Sequence, residues 1–288
     1  MQHAAGGTVR MKSLLRLIFL PLLLLAGQAL AEAPQRVVIL GGSLTEIAFT
    51  LGAGDRVVGV DQSSIYPAAA KALPKVGYYR AFSLEGVLAL KPDLILASDQ
   101  AGPPAAIEQL RRLGKRVIVL PAAPTLAALE QRIYGIAGAL QLRNDGRELV
   151  TRLQREVAAQ QRLPASRLRT LLLISRSDRP EGAGRDTAAH STLQLAGLQN
   201  VLAGQKGYKP LAQEGIAALR PELIVTSTMS LQAVGGIDKL LAMPGIAQTP
   251  AARQRRVVVL DDLLLLGFGP RLPEALQQLQ QAAAGKAP

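Results

Sequence analysis

Tyr78 and Arg80 are the pair in this chain whose types and spacing point most directly to chemistry. A tyrosine oxygen is a hard anionic ligand suited to ferric iron, but its free pKa of about 10 means that a metal or neighbouring cations must drive it to phenolate. In an extended segment an arginine two residues on projects from the same face. Arg80 could there stabilise the phenolate or pair bidentately with a ligand carboxylate, while Tyr79 between them would face away. The same residues would also serve as half-buried packing and a solvated charge. His190 is the one histidine beyond residue 31, just after the turn Gly184-Arg185-Asp186-Thr187. A lone histidine cannot build a zinc or manganese site from several His and carboxylate ligands. No Gly-x-Ser-x-Gly elbow is present for a Ser-His-Asp hydrolase, and Gly41-Gly42-Ser43 lacks the rest of a phosphate-binding loop. No paired acid and base stands out, so a non-enzymatic binding role is expected.

The tyrosine pair sits within Val76 to Ser98, half of which recurs 129 residues later: Glu85, Gly86 and Pro92 correspond to Glu214, Gly215 and Pro221. The Tyr-Tyr-Arg part does not recur. A duplicated scaffold carrying one unduplicated polar cluster implies two similar lobes, one of which supplies the chemistry. Around the repeat, β-branched runs alternate with helix-forming stretches. The strands read as Arg36 to Leu40, Val57 to Val60, Leu94 to Ala97 and Arg116 to Leu120, then Arg169 to Ile174, Leu223 to Thr226 and Arg256 to Leu260. This spacing implies an α/β fold of two Rossmann-like lobes with parallel sheets. Residues 124–165 carry helix formers and no strand signal, with one weak point at Leu142 to Gly146. The expected organisation is a lobe over 32–123, a long helix over 124–165 and a second lobe over 166–288. A helical bridge bends only slightly, so closure should be small and the ligand should lie between the lobes, outside the carboxyl ends of the strands.

Residues 1–31 read as a signal peptide: a basic region with Lys12 and Arg16, an apolar run from Leu17 to Ala26, and the small-residue cleavage signal Ala29-Leu30-Ala31. That run is shorter than the roughly 20 residues a membrane span needs. Removing the segment takes the net charge from +12 to +9. The remaining Lys and Arg are spread singly and aromatics are sparse, so nucleic acid is not the expected partner. The basic balance suits an anionic ligand. With no cysteine in the chain, neither disulfides nor thiolate metal sites are available.

The phrase Gly77-Tyr78-Tyr79-Arg80 followed by Ser83 to Asp93, with Gly182 to Ala189 and Leu266 to Arg271, resembles the corresponding segments of periplasmic haem-binding proteins of bacterial haem ABC importers. The resemblance covers essentially the whole chain after residue 31. It implies that Tyr78 is the axial ligand to haem iron and that Arg80 lies beside it. Tyr79 stands where that family commonly has methionine. His190 would be a second axial ligand, a ligand to a second stacked haem, or a bystander, and Arg176, Arg185 and Arg271 are candidates to meet the propionates. A more distant resemblance to siderophore- and cobalamin-binding proteins implies that Glu85 and Glu214 dock on arginines of an inner-membrane permease, with its ATPase beyond. The implied setting is the periplasm, downstream of an outer-membrane haem receptor. A ferric-siderophore or cobalamin carrier is the alternative.

Overall fold

Short runs rich in Val, Ile and Leu leave no polar face, so each must be covered on both sides; this is what a central parallel strand requires. In a computed structural model, which describes residues 32–175 and 180–285, these runs form the middle of two sheets. The first lobe comprises β1 (Val37–Leu40), α1 (Gly42–Thr50), β2 (Val57–Val60), α2 (Ala68–Lys71), β3 (Gly77–Tyr78), β4 (Ala81–Phe82), α3 (Leu84–Ala89), β5 (Leu94–Ser98), α4 (Pro104–Arg112) and β6 (Val117–Leu120). Its main sheet is fully parallel, in the order β2-β1-β5-β6, and β3 with β4 makes a separate two-residue hairpin.

Two helices follow, α5 (Leu126–Ala139) and α6 (Arg143–Gln161). The single long helix expected over this region is broken at Leu140 to Leu142, where Gln141 takes a left-handed φ of 62°. The weak point in the sequence is thus a turn. The second lobe comprises β7 (Arg169–Ser175), β8 (Pro180–Ala183), α7 (Ala188–Leu195), β9 (Gln199–Asn200), β10 (Tyr208–Pro210), α8 (Gln213–Leu219), β11 (Leu223–Ser227), α9 (Thr228–Val234), α10 (Ile237–Ala242), α11 (Pro250–Arg253), β12 (Val257–Leu260), α12 (Asp262–Leu266) and α13 (Leu272–Ala283). Its sheet runs β10-β8-β7-β11-β12, with β9 beside β7. It is mixed rather than all-parallel, because β8 turns back along β7 and β10 pairs antiparallel with β8.

The internal repeat extends to the backbone. Lys91 and Arg220, the residues before Pro92 and Pro221, share left-handed φ values of 47° and 45°. In the first lobe Asp93 accepts the Arg36 N–H and the Arg36 guanidinium donates to the Leu90 carbonyl. In the second, Glu222 accepts the Arg169 N–H and Arg169 donates to Leu219. Each lobe has its own outer core, built on Val38, Leu40 and Ile95 in one and on Leu171, Leu173 and Ile224 in the other. The largest apolar cluster belongs to neither. It runs from Val37 and Ile39 through Ile133 and Leu153 to Leu172, Val225 and Leu276, and each such side chain contributes about 1.5–3 kcal/mol on burial. The lobes are therefore fused through a common interior.

Candidate functional site

The tyrosine pair lies on the β3–β4 hairpin, whose two-residue turn is Tyr79-Arg80. The hairpin is held against the carboxyl ends of three strands. Asp61, just after β2, accepts the Tyr79 N–H at 3.2 Å. Gly102, beyond β5, donates to the Tyr79 carbonyl at 2.9 Å, and its own carbonyl accepts the Phe82 N–H. Gly41, just after β1, donates to Asp61 at 2.9 Å. This is the crevice position at which open α/β sheets bind ligands.

Tyr78 is half-buried and Arg80 exposed. Arg80 Nη1 donates to the Tyr78 oxygen at 3.4 Å, and its Nη2 donates to Gln100. Tyr79 does not face away from Tyr78 as an extended segment would require. The chain turns at Tyr79, so the two rings pack with centroids 4.7 Å apart, tilted by 59°. The Arg80 guanidinium lies 4.9 Å from the Tyr79 ring centroid. Burial pushes the Tyr79 hydroxyl well above the usual phenol range, although the Arg80 charge pulls the other way. The Tyr79 ring packs against the outer core of its lobe.

His190 lies in the second lobe, on α7. It is 8% exposed, and its ring contacts Asn200, which the register of β9 places beside Thr170 of β7. Thr170 lies five residues back from Ser175, about 16 Å from the carboxyl edge of the sheet. The Asn200 Oδ1 accepts the Leu202 N–H, so its Nδ2 faces outward and donates both to the Ala183 carbonyl and to His190 Nδ1. This contact engages Nδ1 of the imidazole. Burial pushes His190 below the usual imidazole value, with Asp186 opposing and Arg185 adding.

Arg271 is likewise committed. Its Nε donates to Glu46 Oε1 at 2.8 Å, its Nη2 reaches Asp261 at 3.4 Å, and its guanidinium lies 3.6 Å from the Tyr66 ring centroid. Glu46 belongs to α1, so this ion pair ties the lobes together. Arg132 of α5 makes a second tie, donating to the Pro121 and Ala123 carbonyls and, from the other amine, to the Phe268 carbonyl at 2.6 Å. Burial pulls Arg132 down to about 10, leaving it charged at neutral pH. A third contact depends on Gly42: a Cβ there would come within 2.4 Å of the Ser63 carbonyl and 2.9 Å of Leu263 Cδ1. Arg185 is exposed, its backbone paired with Gln205 and Gly207. Arg176 lies outside the described residues. Glu85 and Glu214 are both exposed in the first turns of the equivalent helices α3 and α8, the former behind the Ser83 cap, whose Oγ accepts the Gly86 N–H at 3.0 Å.

Sequence reasoning missed Asp61, Glu46 and Arg132. Asp61 directly follows the apolar run Val57 to Val60, whereas Arg132 stands beside Glu130 and Gln131 and carries no such mark.

Two α/β lobes fused by a common core, with an unduplicated polar turn at the strand ends, define a two-lobed ligand-binding protein. A model of the periplasmic binding protein family matches residues 37–264, and the chain belongs to that family. The periplasmic haem-binding protein RhuT from Roseiflexus sp. RS-1 is 40% identical, with a TM-score of 0.84 over 87% of this chain and 98% of that one. The periplasmic haem-binding protein BhuT, solved in complex with two haems, is 43% identical, with a TM-score of 0.82 and the same coverage. The vitamin B12-binding protein of Vibrio vulnificus strain CMCP6 is 30% identical over 268 residues, 90% of this chain and 93% of its own.

Proposed function

We propose that this protein binds ferric haem at the Tyr78 turn, with the tyrosine oxygen as axial ligand, and delivers it to an ABC permease from the periplasm after export on the segment 1–31. The observation that carries this reading is the Arg80 guanidinium donating to the Tyr78 oxygen at the carboxyl ends of the first lobe's strands. A tyrosine oxygen is a hard ligand of the kind that suits ferric iron. The likeness to two haem-binding proteins at 40% and 43% identity supports the same ligand. In this reading Arg80 and the exposed Arg185 are the candidates to meet the propionates, and a haem receptor in the outer membrane would be the upstream source. Glu85 and Glu214, at equivalent places in the two lobes, present paired acids to the permease.

The test is a spectral titration of the mature protein with hemin. A Soret band with a tyrosinate-to-iron charge-transfer band is expected, and Tyr78→Phe, which removes only the oxygen, should abolish the latter. An unchanged charge-transfer band in that variant refutes Tyr78 as ligand. The vitamin B12-binding relative favours a second reading, a cobalamin carrier. Tight cyanocobalamin binding that is indifferent to Tyr78→Phe, with no hemin band, would select it.

A further inference from the structure

Asp61 is fully buried, and no ion pair reaches it among the described residues. All four of its acceptor positions are filled by neutral donors. Oδ1 accepts the Gly41 N–H at 2.9 Å and the Ser64 hydroxyl at 3.0 Å. Oδ2 accepts the Ser63 N–H at 2.8 Å and the Tyr79 N–H at 3.2 Å. Lys75, whose ammonium donates to the Ser64 and Ala70 carbonyls at 3.2 and 2.8 Å, acts on Asp61 through space without pairing with it; burying a carboxylate with no cation in contact costs several kcal/mol unless its hydrogen bonds offset it. The bond to Gly41 holds the residue that precedes α1. The bond to Tyr79 lies outside any helix and joins the strand-end loop to the turn that carries the tyrosine pair. The neighbouring Gln62 N–H adds a second link to the hairpin, at the Gly77 carbonyl, at 2.8 Å.

We propose that Asp61 is a positioning residue of the ligand site: by holding the Tyr79 N–H while Gly102 holds the Tyr79 carbonyl, it fixes the peptide that follows Tyr78 and so sets where the Tyr78 oxygen points. The proposal rests on the reading of Tyr78 as the iron ligand. It makes aspartate, and not asparagine, the required residue. A carboxamide has one acceptor oxygen, so in either orientation its NH2 group faces a backbone N–H, that of Gly41 or those of Ser63 and Tyr79.

The experiment combines amide exchange in the ligand-free protein with hemin titration, on the mature protein and on Asp61→Asn. The wild-type Tyr79 amide should be protected, and in the variant it should exchange at least ~10-fold faster. Outer groups that orient a metal ligand are typically worth 10- to 100-fold in affinity, so hemin binding by the variant should weaken by about that factor, with a weaker or shifted charge-transfer band. Ser64→Ala, which removes a donor from Asp61 without touching Tyr79, should leave that band in place. Wild-type affinity and band in Asp61→Asn would overturn the proposal. So would an unprotected Tyr79 amide in the wild type, a result that stands even if the variant does not fold. Failure of the haem reading is separate: it appears as a wild-type protein without a tyrosinate band, and the exchange of Tyr79 still decides the role of Asp61.

Discussion

Replacing Arg271 with alanine should destabilise the protein by about 3–5 kcal/mol at neutral pH, the usual cost of breaking a buried ion pair and leaving one charge behind. The large figure applies because the partner left behind, Glu46, is 1% exposed and sits between the lobes. The Nε–Oε1 distance of 2.8 Å makes this a direct charge-assisted hydrogen bond. For a chain of this size each kcal/mol moves Tm by about 2–4 °C, so Tm should fall by roughly 10 °C. The effect should depend on pH. Burial holds the Glu46 carboxyl above its ordinary value of 4.5, with Arg271 pulling it down, and removing Arg271 raises it further. A carboxyl whose folded value lies above its unfolded value gives stability that is fully present below the unfolded value and lost as pH rises through the folded one. The deficit of the variant should therefore be smaller at pH 4.5, below the raised folded value of Glu46, than at pH 7.5. Urea unfolding at those two pH values measures it. Glu46→Gln combined with Arg271→Ala should recover much of the loss, since no buried charge remains. A deficit below 1 kcal/mol at pH 7.5, or one equal at both pH values, refutes the reasoning.

Two further outcomes follow from where other side chains lie. His190→Ala should cost about 1–2 kcal/mol in urea unfolding through the lost Asn200 contact, yet leave the hemin bands unchanged; a lost band would place His190 on the iron. Glu85→Ala combined with Glu214→Ala should leave hemin affinity within about twofold, because both residues are exposed and a helix N-terminal acid is worth only about 0.3–1 kcal/mol. The same pair should stop stimulation of the reconstituted transporter's ATPase, and unaltered stimulation would exclude the docking role.

The middle strands and the repeat were legible because their signals are local. Val, Ile and Leu runs bounded by Gly and Pro give β1, β2, β5, β6, β7, β11 and β12 within a residue or two of their ends. Elements set by tertiary contact were not. The β8 and β10 strands are short and polar, and they exist because β8 folds back along β7 and β10 returns from later in the chain to pair with it. The break between α5 and α6 was visible as a weak point, but its left-handed Gln141 gave no sign in a residue type that rarely adopts that conformation. In the site, Tyr78 and Arg80 were found from type and spacing, and the structure brings their side chains together. The orientation of Tyr79 was missed because alternation holds only while the chain stays extended, and β3 ends at Tyr78. Glu46, Asp61 and Arg132 act through residues 225, 18 and 136 positions away respectively, a separation that no single-sequence pattern encodes.

The common core and the three inter-lobe ties limit how the site can respond to a ligand. A closing motion would have to shear the cluster that includes Ile39, Ile133 and Val225, and interiors packed at this density do not deform continuously. Affinity must then come from a turn already in place, which lowers the ordering cost of binding. The Tyr79 peptide, bonded at its N–H by Asp61 and at its carbonyl by Gly102, is built in that way. Two classes of residue separate on this argument. Changes at Glu46, Arg132 or Arg271 act on the shared interior and should move stability more than ligand affinity. Changes at Tyr78 or Arg80 act on the turn and should move affinity more than stability.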